Sequence, residues 1–142
     1  MFRRHGGPNR GPGSRSFSRK KSGFEGGRVF FTLGGADANA AEVGTYFMDR
    51  LRELQTRFDV IGEVRGKGLM IGIELVTDRM SRTPAKKLCD AVLHRAFHNG
   101  LILLSCGAST VRFIPPLMAT KSDVDEAMTI LEASLDEAIE GV

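Results

Sequence analysis

Two places in the chain combine residue types with a spacing that suits binding of an anion. Arg112 stands in Val111-Arg112-Phe113-Ile114-Pro115-Pro116-Leu117, a β-prone run that ends at two prolines, neither of which can donate to a ladder. Its guanidinium is a planar fork of N–H donors that matches a carboxylate or phosphate in bidentate fashion. Gly34-Gly35-Ala36 follows the short β-prone run 29 to 33 and precedes good helix-forming sequence. A glycine turn at a helix N-terminus points unpaired backbone N–H groups at one place, so Gly35 and Ala36 form the second candidate. Taken alone, the first feature is more often a solvated or locally paired cation at a strand end and the second a plain β-to-α turn.

Other reactive groups point to less. Arg65-Gly66-Lys67-Gly68 places two cations in a glycine-rich turn, but no helix follows as in a P-loop, and a solvated hairpin turn is expected. His94 and His98 stand four apart on one predicted helix, a spacing able to chelate a metal. No third ligand or HExxH pattern accompanies them, so solvated imidazoles and no metal site are expected. Cys89 and Cys106 lie 17 positions apart without CxxC spacing, which suggests two reduced thiols, at least one of them buried.

The positioning elements follow from periodicity. Val43, Phe47, Leu51, Leu54 and Phe58 step by three and four and predict one helix face. Residues 60 to 64 and 69 to 76 predict two strands joined by the turn 65 to 68, with Leu69, Ile71, Ile73 and Leu75 on one face and Met70, Gly72 and Glu74 on the other. Gly72 suggests close approach of a neighbouring backbone or helix. Thr83-Pro84 is expected as N-cap and N1 of a helix with Leu88, Ala91, Val92 and Ala96 inward, ending at Asn99-Gly100. Strands are expected over 101 to 105 and 110 to 114, joined by a turn that contains Cys106. A last helix capped by Thr120 or Ser122 carries Val124, Met128, Leu131, Leu135 and Ile139 inward. From residue 37 the order is αββαββα, an α+β fold with a small, mainly antiparallel sheet covered by helices.

Size allows one such domain, and 42% hydrophobic residues suffice for its core. Residues 1 to 27 hold seven Lys/Arg against Glu25 with many glycines and serines and no period, so a disordered basic tail is expected. The remainder is mildly acidic, and the net charge of +3 reports on the tail. Nucleic acid is therefore not expected as a partner. No apolar run is long enough to span a bilayer and no signal-type h-region follows the N-terminus, so a cytoplasmic chain is expected.

From about Asn39 onward the chain resembles the C-terminal small domain of class III aminotransferases, which are pyridoxal-phosphate enzymes of fold type I. The resemblance is carried by Ala40-Ala41-Glu42-Val43-Gly44, Leu51-Arg52-Glu53-Leu54, Gly62-Glu63-Val64-Arg65-Gly66-Lys67-Gly68-Leu69-Met70, Gly100-Leu101-Ile102-Leu103-Leu104 and Val111-Arg112-Phe113. Residues 28 to 39 resemble the large-domain loop that binds the cofactor phosphate. This divides the chain into a tail over 1 to 27, a loop remnant over 28 to 39 and the small domain over 40 to 142.

The resemblance implies transfer of an amino group from an amine or ω-amino acid to a keto acid, with pyridoxal phosphate as cofactor and a dimeric assembly. It implies that Arg112 holds a substrate carboxylate and that Gly35 and Ala36 contact the cofactor phosphate. The family's aldimine-forming lysine and its pyridine-pairing aspartate have no counterpart. The six lysines, Lys20, Lys21, Lys67, Lys86, Lys87 and Lys121, all fall outside the family's lysine motif. An internally truncated chain without catalytic residues, inactive by itself, is expected. The alternative is a non-catalytic interaction module that docks on a transaminase subunit or other partner, with a homo-oligomer also among the expected associations.

Overall fold

A computed structural model of the chain describes residues 36 to 142. The expected tail, the run 29 to 33 and Gly35 lie outside the described residues, and Ala36 is described by its backbone. Helix α1 spans Ala36–Arg57 and buries Val43, Phe47, Leu51 and Leu54 as their spacing predicts, whereas Phe58, expected to complete that face, lies one residue past the helix and is half-buried. The expected boundary between 39 and 40 falls inside its first turn, where Asn39 Nδ2 donates to the carbonyls of Leu117 and Ala119 at 2.8 and 3.1 Å.

Strands β1 (Ile61–Lys67) and β2 (Met70–Asp78) pair antiparallel. The expected turn over 65 to 68 is corrected. Arg65, Gly66 and Lys67 pair with Gly72, Ile71 and Met70 and so belong to the ladder rather than to the turn. The turn shrinks to Gly68-Leu69, and Gly68 takes a φ of 57° that L side chains rarely adopt. Leu75 and Val76, neighbours in sequence, are both buried, and Gly62, at the register shift between Ile61 and Glu63, leaves room for Val76, whose Cγ1 a Cβ would meet at 2.8 Å.

Thr83-Pro84 is not the start of a helix. It forms the short strand β3 against β2, and Ala85 N–H, donating to the Leu75 carbonyl at 3.0 Å, continues that pairing before the helix begins. A residue before proline is pushed toward extended backbone, which suits Thr83 to this edge. Helix α2 then spans Lys86–His98 and buries Leu88, Cys89, Val92 and Ala96, with Ala91 only half-buried. Burial pushes the Cys89 thiol up from its ordinary pKa.

Strands β4 (Leu104–Cys106) and β5 (Thr110–Phe113) form a hairpin around Gly107 at a φ of 61°; residues 101 to 103 do not join the ladder. Helix α3 spans Lys121–Gly141 and buries Val124, Met128, Leu131 and Leu135, whereas Ile139, expected inward, is exposed near the helix end.

The main sheet runs β1-β2-β5-β4, every pair antiparallel, with β3 on β2. One face, carrying Ile71, Ile73, Leu75, Val111 and Phe113, forms a single core with all three helices. The α+β architecture is as the periodicity predicts, with β3 added to the order αββαββα.

Thr120 is the cap of α3 and closes a box: its hydroxyl accepts from Asp123 N–H while Asp123 accepts from Thr120 N–H at 2.7 Å. Thr120→Ala is expected to cost about 1 kcal/mol, read as a lower urea midpoint. The Thr120 backbone and hydroxyl hydrogen bonds hold Asp123 below its ordinary pKa of 3.8. A carboxylate held low in the folded state stabilises above the unfolded-state pKa and loses that contribution as pH falls through the folded value. Asp123→Asn should therefore flatten the acid limb of the stability profile; an unchanged limb would count against the box.

Candidate functional site: the open face of the sheet

Strand alternation sends Arg112 to the face opposite Phe113. Phe113 is buried in the core against Phe47 of α1, ring centroids 5.1 Å apart, while Arg112 is half-exposed on the face that none of the described helices covers. Register builds a row across this face: Arg65 pairs with Gly72, Gly72 with Arg112, and Arg112 with Leu104. The next row carries Glu63, Glu74, Thr110 and Cys106.

The two arginines differ in what surrounds them. Arg65 Nη1 lies 3.2 Å from Glu63 Oε2 and 3.8 Å from Glu74 Oε2, and its Nη2 donates to Thr110 Oγ1 at 3.4 Å. Two carboxylates thus balance one cation. Arg112 Nη2 donates to Cys106 Sγ at 2.9 Å, and among the described residues no carboxylate pairs with it. An arginine held at one nitrogen by a thiol keeps most of its five donors for a ligand. Gly72 provides the room beside it; a Cβ there would press on Thr110 Cγ2 at 3.2 Å. A backbone or helix was expected close to Gly72; the tight neighbour is instead the Thr110 side chain, and the Val111 carbonyl at 3.6 Å is an ordinary contact.

Ala36 is the first residue of α1, on a helix that packs on the core face. The fold therefore places the helix of the candidate phosphate pair and the candidate carboxylate arginine on opposite faces of the sheet. Asp37, in the first turn and accepting from Ala38 N–H at 3.0 Å, puts a negative charge where an anion would sit.

Sequence reasoning missed Cys106 as the partner of Arg112, and Arg65 as a strand residue whose charge is already answered. The signal was available for Cys106. A tight turn at Gly107 makes Cys106 oppose Thr110, which leaves the thiol diagonal to Arg112.

The model of the family described as aminotransferase class-III matches residues 32–135. The chain belongs to the class III aminotransferases. It is 42% identical over 105 residues to an alanine/serine racemase of Pyrococcus horikoshii, covering 72% of this chain and 22% of that protein. It is 38% identical over 105 residues to the mitochondrial alanine–glyoxylate aminotransferase 2 of Pongo abelii, covering 72% and 20%. An amine transaminase from an uncultivated Pseudomonas species, solved with pyridoxal phosphate as internal aldimine, superposes with a TM-score of 0.68 at 32% identity over 72% of this chain and 24% of that one. The chain spans about a fifth of the length of the curated relatives it matches.

The described residues of this class III aminotransferase chain do not by themselves fit the cofactor. Lys86 is held by Asp90 at 2.7 Å and Lys121 by Glu42 at 2.8 Å, and Lys87 is exposed on α2. Lys67 shares the open face with Arg65 but stands exposed at the hairpin end with nothing to enclose it. No described lysine is enclosed in the way that a Schiff base shielded from water requires. Among the described residues no helix is long and apolar enough to cross a membrane.

Proposed function

We propose that this chain supplies the carboxylate-anchoring side of a class III aminotransferase site, with Arg112 gripping the carboxylate of an amino or keto acid, and that it does not transfer amino groups by itself. The observation that carries this is the contrast on the open face, where among the described residues Arg65 is balanced by Glu63 and Glu74 and Arg112 meets the Cys106 thiol and no carboxylate. The two relatives support it, since a racemase of alanine and serine and an aminotransferase of alanine are both named for α-amino acids with a carboxylate to hold. The reading takes pyridoxal phosphate as cofactor of the completed site, Gly35 and Ala36 as its phosphate contacts, and the cytoplasm as location. It keeps the division into a tail over 1 to 27, a loop segment over 28 to 39 and the small domain over 40 to 142.

Two measurements test it. Incubation of the purified 142-residue chain with pyridoxal phosphate and borohydride should leave no single trapped lysine, and alanine with a keto acid should give no turnover; a stoichiometric adduct or measurable amino transfer would contradict the second half. NMR titration with alanine or pyruvate should move resonances around residues 104 to 112 with a dissociation constant roughly millimolar or weaker, as suits one charge-assisted pair in water. Arg112→Gln should abolish those shifts, and Arg112→Lys should keep only part of them because an ammonium lacks the fork. Shifts unaffected by Arg112→Gln would remove the site.

A second reading, a non-catalytic module that docks on another transaminase subunit, rests on one observation. An apolar hollow of about 510 Å³ lined by Phe47, Ile102, Ile114, Pro116, Met118 and Val124 lies beside the start of α3, with Ile102 and Met118 more than 70% exposed. This reading expects association in sedimentation that Ile102→Ser removes.

A further inference from the structure

His94 and His98 lie on the exposed side of α2, one turn apart, with their Nε2 atoms 3.1 Å from each other and ring centroids 4.4 Å apart at 68°. Without a metal, one ring must donate an N–H to the other, which accepts. A metal takes the place of that proton once both rings carry their N–H on Nδ1 and these exposed side chains turn both Nε2 lone pairs toward one point. With metal–nitrogen bonds of about 2.05 Å, two nitrogens 3.1 Å apart subtend about 98° at the ion. That is close to the right angle between neighbouring ligands in square-planar and octahedral sites.

We propose that His94 and His98 form a bidentate surface site for a divalent transition-metal ion of square-planar or octahedral preference, nickel(II) or copper(II), with water in the remaining positions. Both imidazoles bind through Nε2 and leave Nδ1–H to water. The helix supplies the preorganisation, because residues four apart share a face only while α2 is formed. Phe97, its ring centroid 5.9 Å from that of His98, packs against the second imidazole. Asp90, one turn before His94, accepts from Lys86 Nζ at 2.7 and 2.9 Å and is engaged there, and among the described residues no third His, Cys, Asp or Glu joins the pair. The site is therefore a two-nitrogen chelate, independent of the open face and of Arg112.

His5, the third histidine, lies outside the described residues and is a competing ligand, so the test uses the full chain carrying His5→Ala. Nickel chloride is titrated in a non-chelating buffer, which avoids oxidation of the thiols by copper, with calorimetry and melting temperature as readouts. One nickel per chain and a rise in melting temperature are expected, since the ion binds the helical form in preference to the unfolded one. Adding either His94→Ala or His98→Ala should weaken binding by roughly 100-fold, because the chelate becomes a single ligand. Helical circular dichroism should be unchanged in both variants, as both side chains are exposed. Zinc should bind more weakly than nickel. Binding that survives either substitution, no nickel binding in the His5→Ala chain, one ion shared by two chains, or zinc tighter than nickel would each overturn the site as drawn.

Discussion

Replacing Gly44 with alanine is expected to lower the stability of the fold by about 1–3 kcal/mol, although alanine is the better helix former by about 1 kcal/mol. A Cβ at this position would sit 2.2 Å from the Gly68 carbonyl oxygen and 2.5 Å from its carbon. Both are backbone atoms, in a turn whose positive φ allows little adjustment. Helix α1 would have to lift from the hairpin, and with it Val43 and Phe47 from the core. Against a total of about 5–15 kcal/mol, such a loss is large. Gly141→Ala is the matched control, since a Cβ at the end of α3 would meet only Arg95 Nη2 at 3.7 Å, an ordinary contact. Urea denaturation of both variants decides it: a Gly44→Ala midpoint at or above that of the parent would mean that the helix and turn do not touch.

Phe113→Ala should cost about 3–5 kcal/mol, the range for removal of a buried aromatic ring. Phe113 fills the core from β5 and meets Phe47 edge-on at 69°. The residue before it is Arg112, so loosening the Phe113 side of the strand also loosens the platform on which Arg112 stands. A double-mutant cycle with Phe47→Ala should return a coupling of about 0.5–1.5 kcal/mol beyond burial. Strict additivity would show that the two rings do not share the contact.

How much of this was legible in the sequence depends on the range of the forces involved. The faces of α1 and α3 could be read because a helix repeats its own pattern every turn, and Thr120 because a cap is satisfied within three residues. Cys89, buried where Ala91 was expected, shows the limit: periodicity gives a face, but the neighbours that cover it set its width. Thr83-Pro84 failed for a related reason. Its local chemistry suits a helix start, yet the edge of β2 offered partners that no local pattern reveals.

The candidate site divides in the same way. The sequence by itself determined that Arg112 lies in a strand beside a proline stop, that Gly72 marks a close approach, and that the chain resembles class III aminotransferases, because all three are carried by residue types at short spacing. Tertiary structure alone decided that Arg65 is answered by Glu63 and Glu74, that Arg112 rests on Cys106, that the α1 N-terminus packs on the other face, and that Gly44 bears on Gly68. The first two depend on strand register, where a shift of one residue would send those side chains to the opposite face, and the last two on which elements pack together.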